Sequence, residues 1–183
     1  MGGPSFDESI PFKGLRIAIM TVSDTRTEET DKSGALLVER AQGAGHHVMD
    51  KVIVPDDRKR IGVQLRRWIN EPNVEVILAT GGTGVTARDV TPEAFEEAWE
   101  KPIPGFGELF RMLSYEQIGT STIQSRACAG VARGTYLFAL PGSTGACKDA
   151  WDGILRYQLD IRYRPCTFAE LIPRLREDGS ATE

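Results

Sequence analysis

Val76-Ile77-Leu78-Ala79-Thr80-Gly81-Gly82-Thr83-Gly84-Val85-Thr86-Ala87-Arg88-Asp89-Val90-Thr91-Pro92-Glu93-Ala94 is the stretch that decides the fold class of this chain. An apolar run empties into a glycine loop, and an acid and a helix start follow at once. An apolar strand that feeds a loop and then a helix is the repeating unit of a parallel α/β sheet. Small residues let a ligand approach the backbone closely. Successive free N–H groups suit an anion such as phosphate, and an Asp a few residues on can hold a divalent cation beside it. The grouping predicts a site that handles a phosphorylated ligand.

Working outward, the same alternation recurs. Leu15–Val22 reads as a central strand, Ser33–Ala44 as a helix closed by Gly43 and Gly45, and His47–Val54 as a second strand stopped by Pro55-Asp56-Asp57. A helix from Asp57 to Asn70 carries Ile61, Leu65, Trp68 and Ile69 on one face. Val74–Ala79 is the third strand. Thr91 is placed to cap the next helix with Pro92 at its first position, and Lys101-Pro102-Ile103-Pro104 ends it. Gly105–Gln117 is helical by its spacing of Phe106, Leu109, Phe110 and Leu113. Ser125–Val131 and Thr135–Leu140 read as strands joined by a tight turn at Arg133-Gly134. A long helix is expected over Gly145–Tyr163, then a short segment to Leu175. The fold class is therefore α/β, a three-layer sandwich around a mostly parallel mixed sheet of Rossmann-like type. Residues 14–175 form the domain, with 1–13 a flexible arm and 176–183 a polar tail.

The bulk numbers agree with a single domain. The chain has 183 residues, 40% of them hydrophobic, and a net charge of −4, a balance that does not suggest nucleic-acid binding. No apolar run is long enough to span a bilayer and the N-terminus does not read as a signal peptide. Cys128, Cys147 and Cys166 are widely separated with no C-x-x-C pair. They read as reduced, inert thiols of a cytoplasmic protein rather than as metal ligands.

Several loops fall at the same kind of position. Ser23-Asp24 follows the first strand, Asp56-Asp57 the second, Gly81–Asp89 the third and Gly142-Ser143-Thr144 the second hairpin strand. In an open parallel sheet, ligands bind beyond the carboxyl ends of the strands near a topological switch point. If the strand order is second–first–third, Ser23, the glycine loop and Asp56 face one crevice. Gly82-x-Gly84-x-x-Ala87 has the letters of a dinucleotide fingerprint, but its helix should open directly, whereas Pro92 restarts it later. Gly142–Asp149 superficially resembles a P-loop, but Cys147 replaces its second glycine and Asp149 its Ser/Thr, so it reads as a strand-to-helix turn with outward amides. Asp89 reads either as a helix cap or as a cation ligand. With Thr91 in the cap position, the second reading is favoured. Asp56 taken alone is ordinary punctuation before a helix. His46 and His47 are neighbours and point to opposite faces of a strand, so they cannot pair as ligands.

Taken together, Thr21-Val22-Ser23-Asp24, Ala41–Val48, Thr80–Gly84 with Arg88–Ala94, Pro104–Arg111, Ile118–Ser121, Gln124–Ala127 and Leu140–Thr144 resemble the MoaB/MogA family of molybdenum-cofactor biosynthesis proteins. The resemblance covers about Leu15 to Leu175 and leans toward the MoaB branch. It implies binding of molybdopterin and of ATP with Mg2+, attack of the pterin's terminal phosphate on the α-phosphate of ATP, and release of adenylyl-molybdopterin and pyrophosphate. A separate molybdate-inserting enzyme then uses that product. On this resemblance Asp56 and Asp89 are the catalytic and metal-binding acids. Ser23, Thr80, Gly81, Gly82, Thr83, Gly84, Arg88, Gly142 and Ser143 hold phosphate or pterin. It also implies a homotrimer or homohexamer, in which Phe106, Phe110, Tyr115 and Trp151 serve equally well as interface or as core. Some MoaB proteins lack both acids and are thought inactive, whereas this chain keeps both. The alternative is a non-catalytic molybdopterin-binding or assembly protein. A CinA-like nucleotide-cleaving enzyme is a third reading, against which the helices from Gly105 onward argue.

Overall fold

The computed structural model describes residues 4–177. Its centre is a six-stranded sheet built from β2 (Arg16–Val22), β3 (His47–Val54), β4 (Val76–Thr80), β5 (Lys101–Pro102), β6 (Cys128–Ala132) and β7 (Thr135–Leu140), in the order β3-β2-β4-β7-β6-β5. The three leading strands thus lie second–first–third. Strands β3, β2, β4 and β7 are parallel, and β6 runs antiparallel to both β7 and β5. The switch point falls between β2 and β4.

Side chains alternate across the central strands, which accounts for their unbroken apolarity. Ile17, Ile19, Val76, Leu78, Tyr136 and Phe138 enter one core, and Ala18, Met20, Ile77, Ala79, Leu137 and Ala139 enter the other. The first core is covered by α1 (Lys32–Gly43), α4 (Pro104–Ile118), the helical run α5 (Thr144–Ala150) to α6 (Arg156–Gln158), and α7 (Phe168–Glu177). The second is covered by α2 (Arg58–Ile69) and α3 (Thr91–Glu96). Ile61, Leu65, Trp68 and Ile69 of α2 are all buried, as their spacing predicts. The hairpin turn also forms as read: Arg133 and Gly134 have φ of 48° and 79°, the pair of positive values a two-residue hairpin needs.

Some expectations need correction. Residues 4–13 are not a loose arm. β1 (Ser5–Phe6) pairs antiparallel with β8 (Tyr163–Arg164), Phe6 packs on Tyr157 and Tyr163, and Phe12 packs on His46. Residues 1–3 lie outside the described residues, as do residues 178–183 of the expected tail. Arg176 belongs to α7, and its guanidinium donates to the carbonyls of Pro72 and Val74, each at 2.8 Å. The helix that begins at Thr91 stops at Glu96, because Lys101–Pro102 joins the sheet edge against Val131 and Gly130. The long helix expected to reach Tyr163 ends at Gln158 and contains a π turn over Trp151–Leu155, where Gly153 passes close to Leu113. Thr91 is not the helix cap. Val90 takes that position, and the Thr91 hydroxyl donates to the Gly81 carbonyl at 2.8 Å. Phe106, Phe110 and Trp151 are core residues, while Tyr115 is exposed.

Candidate functional site

The carboxyl ends of β2, β3, β4 and β7 open into one crevice. Gly81 is its hinge. Its N–H donates to the Leu140 carbonyl (3.0 Å), which binds β4 to β7, and its φ is +106°. A Cβ there would lie 2.2 Å from the Val22 carbonyl oxygen of β2, so the chain turns where only glycine fits. Gly142 lies against the same point: a Cβ on it would sit 3.2 Å from the Gly81 Cα. Its carbonyl accepts a bond from Ser33 at the start of α1 (2.8 Å). Ser143 caps α5, its hydroxyl accepting from the Ala146 N–H at 3.2 Å, and leaves the helix start exposed.

The two acids reach this crevice from separate strands. Asp56, after β3, is held by a reciprocal clamp. Its carboxylate accepts from the Asp24 N–H and its own N–H donates to the Asp24 carboxylate, both at 3.1 Å. Its Oδ1 lies 3.1 Å from where a Cβ of Gly82 would be. Asp89 folds back over the glycine loop, where Oδ2 accepts from the Thr86 N–H (2.9 Å) and hydroxyl (2.7 Å) and lies 2.8 Å from the place of a Gly84 Cβ. Burial, and then the negative charge of Asp89, push the Asp56 carboxyl above the usual carboxylate range. Burial acts in the same direction on Asp89, but the Thr86 bonds, the Gly84 N–H and the charge of Arg126 outweigh it and hold its carboxyl below that range. Two carboxylates close enough to repel, with Asp89 firmly ionised, form a site that a cation would relieve. No group of three or more His, Cys, Asp or Glu side chains converges among the described residues. A cation here would therefore take its remaining ligands from phosphate oxygens and water, as Mg2+ commonly does.

The other expected residues divide. Gly82 (φ +65°) and Thr83 keep N–H groups with no protein acceptor among the described residues. The Gly81 amide turns to Leu140 instead, while Gly84 lies beside the Asp89 carboxylate. Arg88 leans across the crevice into an ion pair with Asp24. The side chains of Thr80 and Thr83 are both buried. Thr80 donates to the Pro141 carbonyl (2.8 Å) and so ties β4 to the β7 loop. The Ser23 hydroxyl is engaged in its own turn, accepting from the N–H groups of Thr25 and Arg26.

In the sequence Asp24 and Arg126 stand only as members of quoted motifs, with no role assigned to them or to Thr86. Asp24 and Thr86 act through loop contacts that no spacing rule reports. Arg126 lies just before β6. Its Nε donates to the Gly84 carbonyl (2.6 Å), Nη2 donates to the Asp89 carbonyl (2.7 Å), and Nη1 pairs with Glu93. A depression of about 440 Å³ runs beside the loop, lined by Val85, Thr86, Ala87, Asp89, Val90 and Arg126 among others.

Residues 18–161 match the family described as "Probable molybdopterin binding domain". The chain belongs to the MoaB/MogA family. It is 55% identical over 160 residues to molybdenum cofactor biosynthesis protein B of Escherichia coli K12, a match covering 87% of this chain and 94% of that one. A crystal structure of a molybdenum cofactor biosynthesis protein B superposes with a TM-score of 0.82 at 43% identity, covering 90% of this chain and 98% of the other. The tungsten cofactor synthesizing protein MoaB of Pyrococcus furiosus superposes with a TM-score of 0.74 at 34% identity, over 90% and 98%. Membership accounts for the α/β fold and the switch-point crevice together. Among the described residues, no helix is long and apolar enough to cross a membrane.

Proposed function

We propose that this chain acts in molybdenum-cofactor biosynthesis by transferring the adenylyl group of ATP to the terminal phosphate of molybdopterin, with Mg2+ held at Asp56 and Asp89. The observation that carries this reading is the meeting of those two acids, from different strands, around one glycine loop. A phosphate oxygen of the pterin attacks the α-phosphorus, the bond from that phosphorus to the bridging oxygen breaks, and pyrophosphate leaves. Such a transfer needs positioning and charge neutralisation rather than a protein nucleophile. Bound Mg2+ would supply part of that neutralisation. The Gly82 and Thr83 amides donate to phosphate oxygens, Arg88 offers a guanidinium at the rim, and Gly142 with the Ser143-capped helix start borders the pterin side. The product suits a following molybdate-inserting enzyme.

Purified protein with molybdopterin, ATP and Mg2+ tests this. Formation of adenylyl-molybdopterin and pyrophosphate is expected. Asp89→Asn should abolish it while leaving the unfolding midpoint near that of the parent, because a loop acid contributes little to the core. Full activity in that variant refutes the metal role. Pterin binding without turnover in the parent favours the non-catalytic binding protein.

We also propose that the chain associates with itself as a homotrimer or homohexamer. Leu109, Met112, Tyr115, Ile118 and Ile123, on α4 and the turn after it, are exposed large apolar side chains, a concentration monomers usually avoid. Light scattering should give a multiple of the chain mass, lowered by Met112→Asp. A monomeric parent overturns the proposal.

A further inference from the structure

We propose that Arg126 is a positioning residue that latches the Gly84–Asp89 loop in the shape that presents Asp89 to Asp56. The proposal deepens the adenylyl-transfer reading and rests on it for its functional consequence.

The geometry is specific. The Arg126 N–H donates to the Thr83 carbonyl (2.9 Å), and its guanidinium reaches the Gly84 and Asp89 carbonyls, one at each end of the exposed excursion Val85–Arg88. Glu93, on α3 beyond the loop, pairs with the remaining nitrogen. Arg126 is itself held from behind, because the Arg111 guanidinium on α4 donates to the carbonyls on either side of it, Ser125 (3.4 Å) and Ala127 (3.3 Å). The segment entering β6, braced by α4, thus holds the glycine loop.

The latch adds little to the core. Val85 is 67% exposed, and Thr86, Ala87 and Arg88 are exposed, so closing this loop buries little apolar surface and its main result is position. Nor does Arg126 hydrogen-bond the Asp89 carboxylate; it grips the carbonyl of that residue. The acid keeps its charge for a cation while its backbone is fixed. A planar fork with donors at set angles can bridge two carbonyls and a carboxylate, whereas the single ammonium of lysine cannot reproduce that span.

The test uses the full chain as Arg126→Lys, Arg126→Gln and Glu93→Gln, read by amide hydrogen exchange over residues 84–90 and by the Mg2+ concentration for half-maximal turnover. In both Arg126 variants, exchange in 84–90 should speed by about tenfold or more while the β7 amides stay protected. The half-maximal Mg2+ should rise by about tenfold, with turnover at saturating Mg2+ falling much less. A merely structural role would lower the unfolding midpoint without moving the Mg2+ response. Glu93→Gln leaves both carbonyl contacts in place and should keep loop exchange near that of the parent. Unchanged loop exchange in the Arg126 variants overturns the proposal, as does faster exchange with an unaltered Mg2+ response, or Lys restoring both readouts. Where Arg126→Gln does not fold, Arg126→Lys carries the test. If the parent shows no adenylyl transfer, that reading fails, and the latch stands or falls on exchange alone.

Discussion

Gly81→Ala probes the crevice at the place where the sheet leaves no room. The new Cβ would lie 2.2 Å from the Val22 carbonyl oxygen and 3.2 Å from its carbon, both of them backbone atoms of a central strand. Rotating a side chain cannot relieve that contact, so β2 or β4 must shift by about 1 Å. Both neighbours resist, because β2 and β4 are in register from Ile17–Val76 to Thr21–Thr80, and Gly81 is tied to Leu140 and Thr91. A backbone held at φ +106° costs a non-glycine residue about 1–3 kcal/mol. The forced contact adds about 1–3 kcal/mol. The sum, about 2–6 kcal/mol, is a large share of a typical domain stability of about 5–15 kcal/mol. In urea, with a slope of about 2–3 kcal/mol/M for a chain of this size, the midpoint should fall by about 0.7–3 M. Gly105→Ala is the control. A Cβ there meets nothing within 4 Å and the residue lies in the first turn of α4, so the midpoint should hold or rise slightly. A Gly81→Ala midpoint within about 0.3 M of the parent would refute the steric account of the hinge.

Asp56→Asn should stabilise the free protein near neutral pH. The folded state raises the carboxyl pKa of Asp56, so its ionisation costs stability above that range, and the gain from the variant should grow as pH rises through it and vanish in acid. Urea titrations at several pH values read this, and a pH-independent difference contradicts the rise that burial and, after it, the charge of Asp89 give this carboxyl. His46 is buried, its Nδ1 accepts from the Leu15 N–H at 3.0 Å, and burial lowers its pKa from 6.5 to about 4. The folded state favours the neutral ring, so stability is full above pH 6.5 and should fall by about 3 kcal/mol as pH drops from there to about 4. His46→Gln should flatten that slope, and an equally steep slope in the variant places the titrating group elsewhere. Burial pushes the Cys147 thiol up to about 11 and the Cys128 thiol up to about 12, whereas Cys166 is exposed. A disulfide reagent should therefore modify one thiol per native chain quickly and all three in denaturant; rapid native reaction of Cys147 would contradict its burial.

Legibility in the sequence followed the range of the interaction concerned. His47–Val54 and Thr135–Leu140 match their strands residue for residue, because bounding turns and continuous apolarity are local signals. The α2 face was readable for the same reason, since a single helical period places Ile61, Leu65, Trp68 and Ile69 together. Boundaries failed where distant partners intervened. Lys101–Pro102 became a strand because Val131 and Gly130 lie beside it, and Ser5–Phe6 became one because Tyr163–Arg164 does. Thr91 has the chemistry of a cap, yet its hydroxyl goes to Gly81, a partner that only the folded loop brings near.

The candidate site divides along the same line. Residue types and their order along the chain were enough to mark a glycine loop, two acids and a fold class, because those depend on backbone freedom, charge and periodicity within short windows. What depended on folding was the assignment of each polar group: among the described residues the amides of Gly82 and Thr83 have no protein acceptor while that of Gly81 is taken, Thr80 is buried, and Arg126 grips the loop from the segment before β6. A hydrogen bond goes to whichever partner packing brings within about 3 Å, and that proximity is set by the register and twist of the whole sheet.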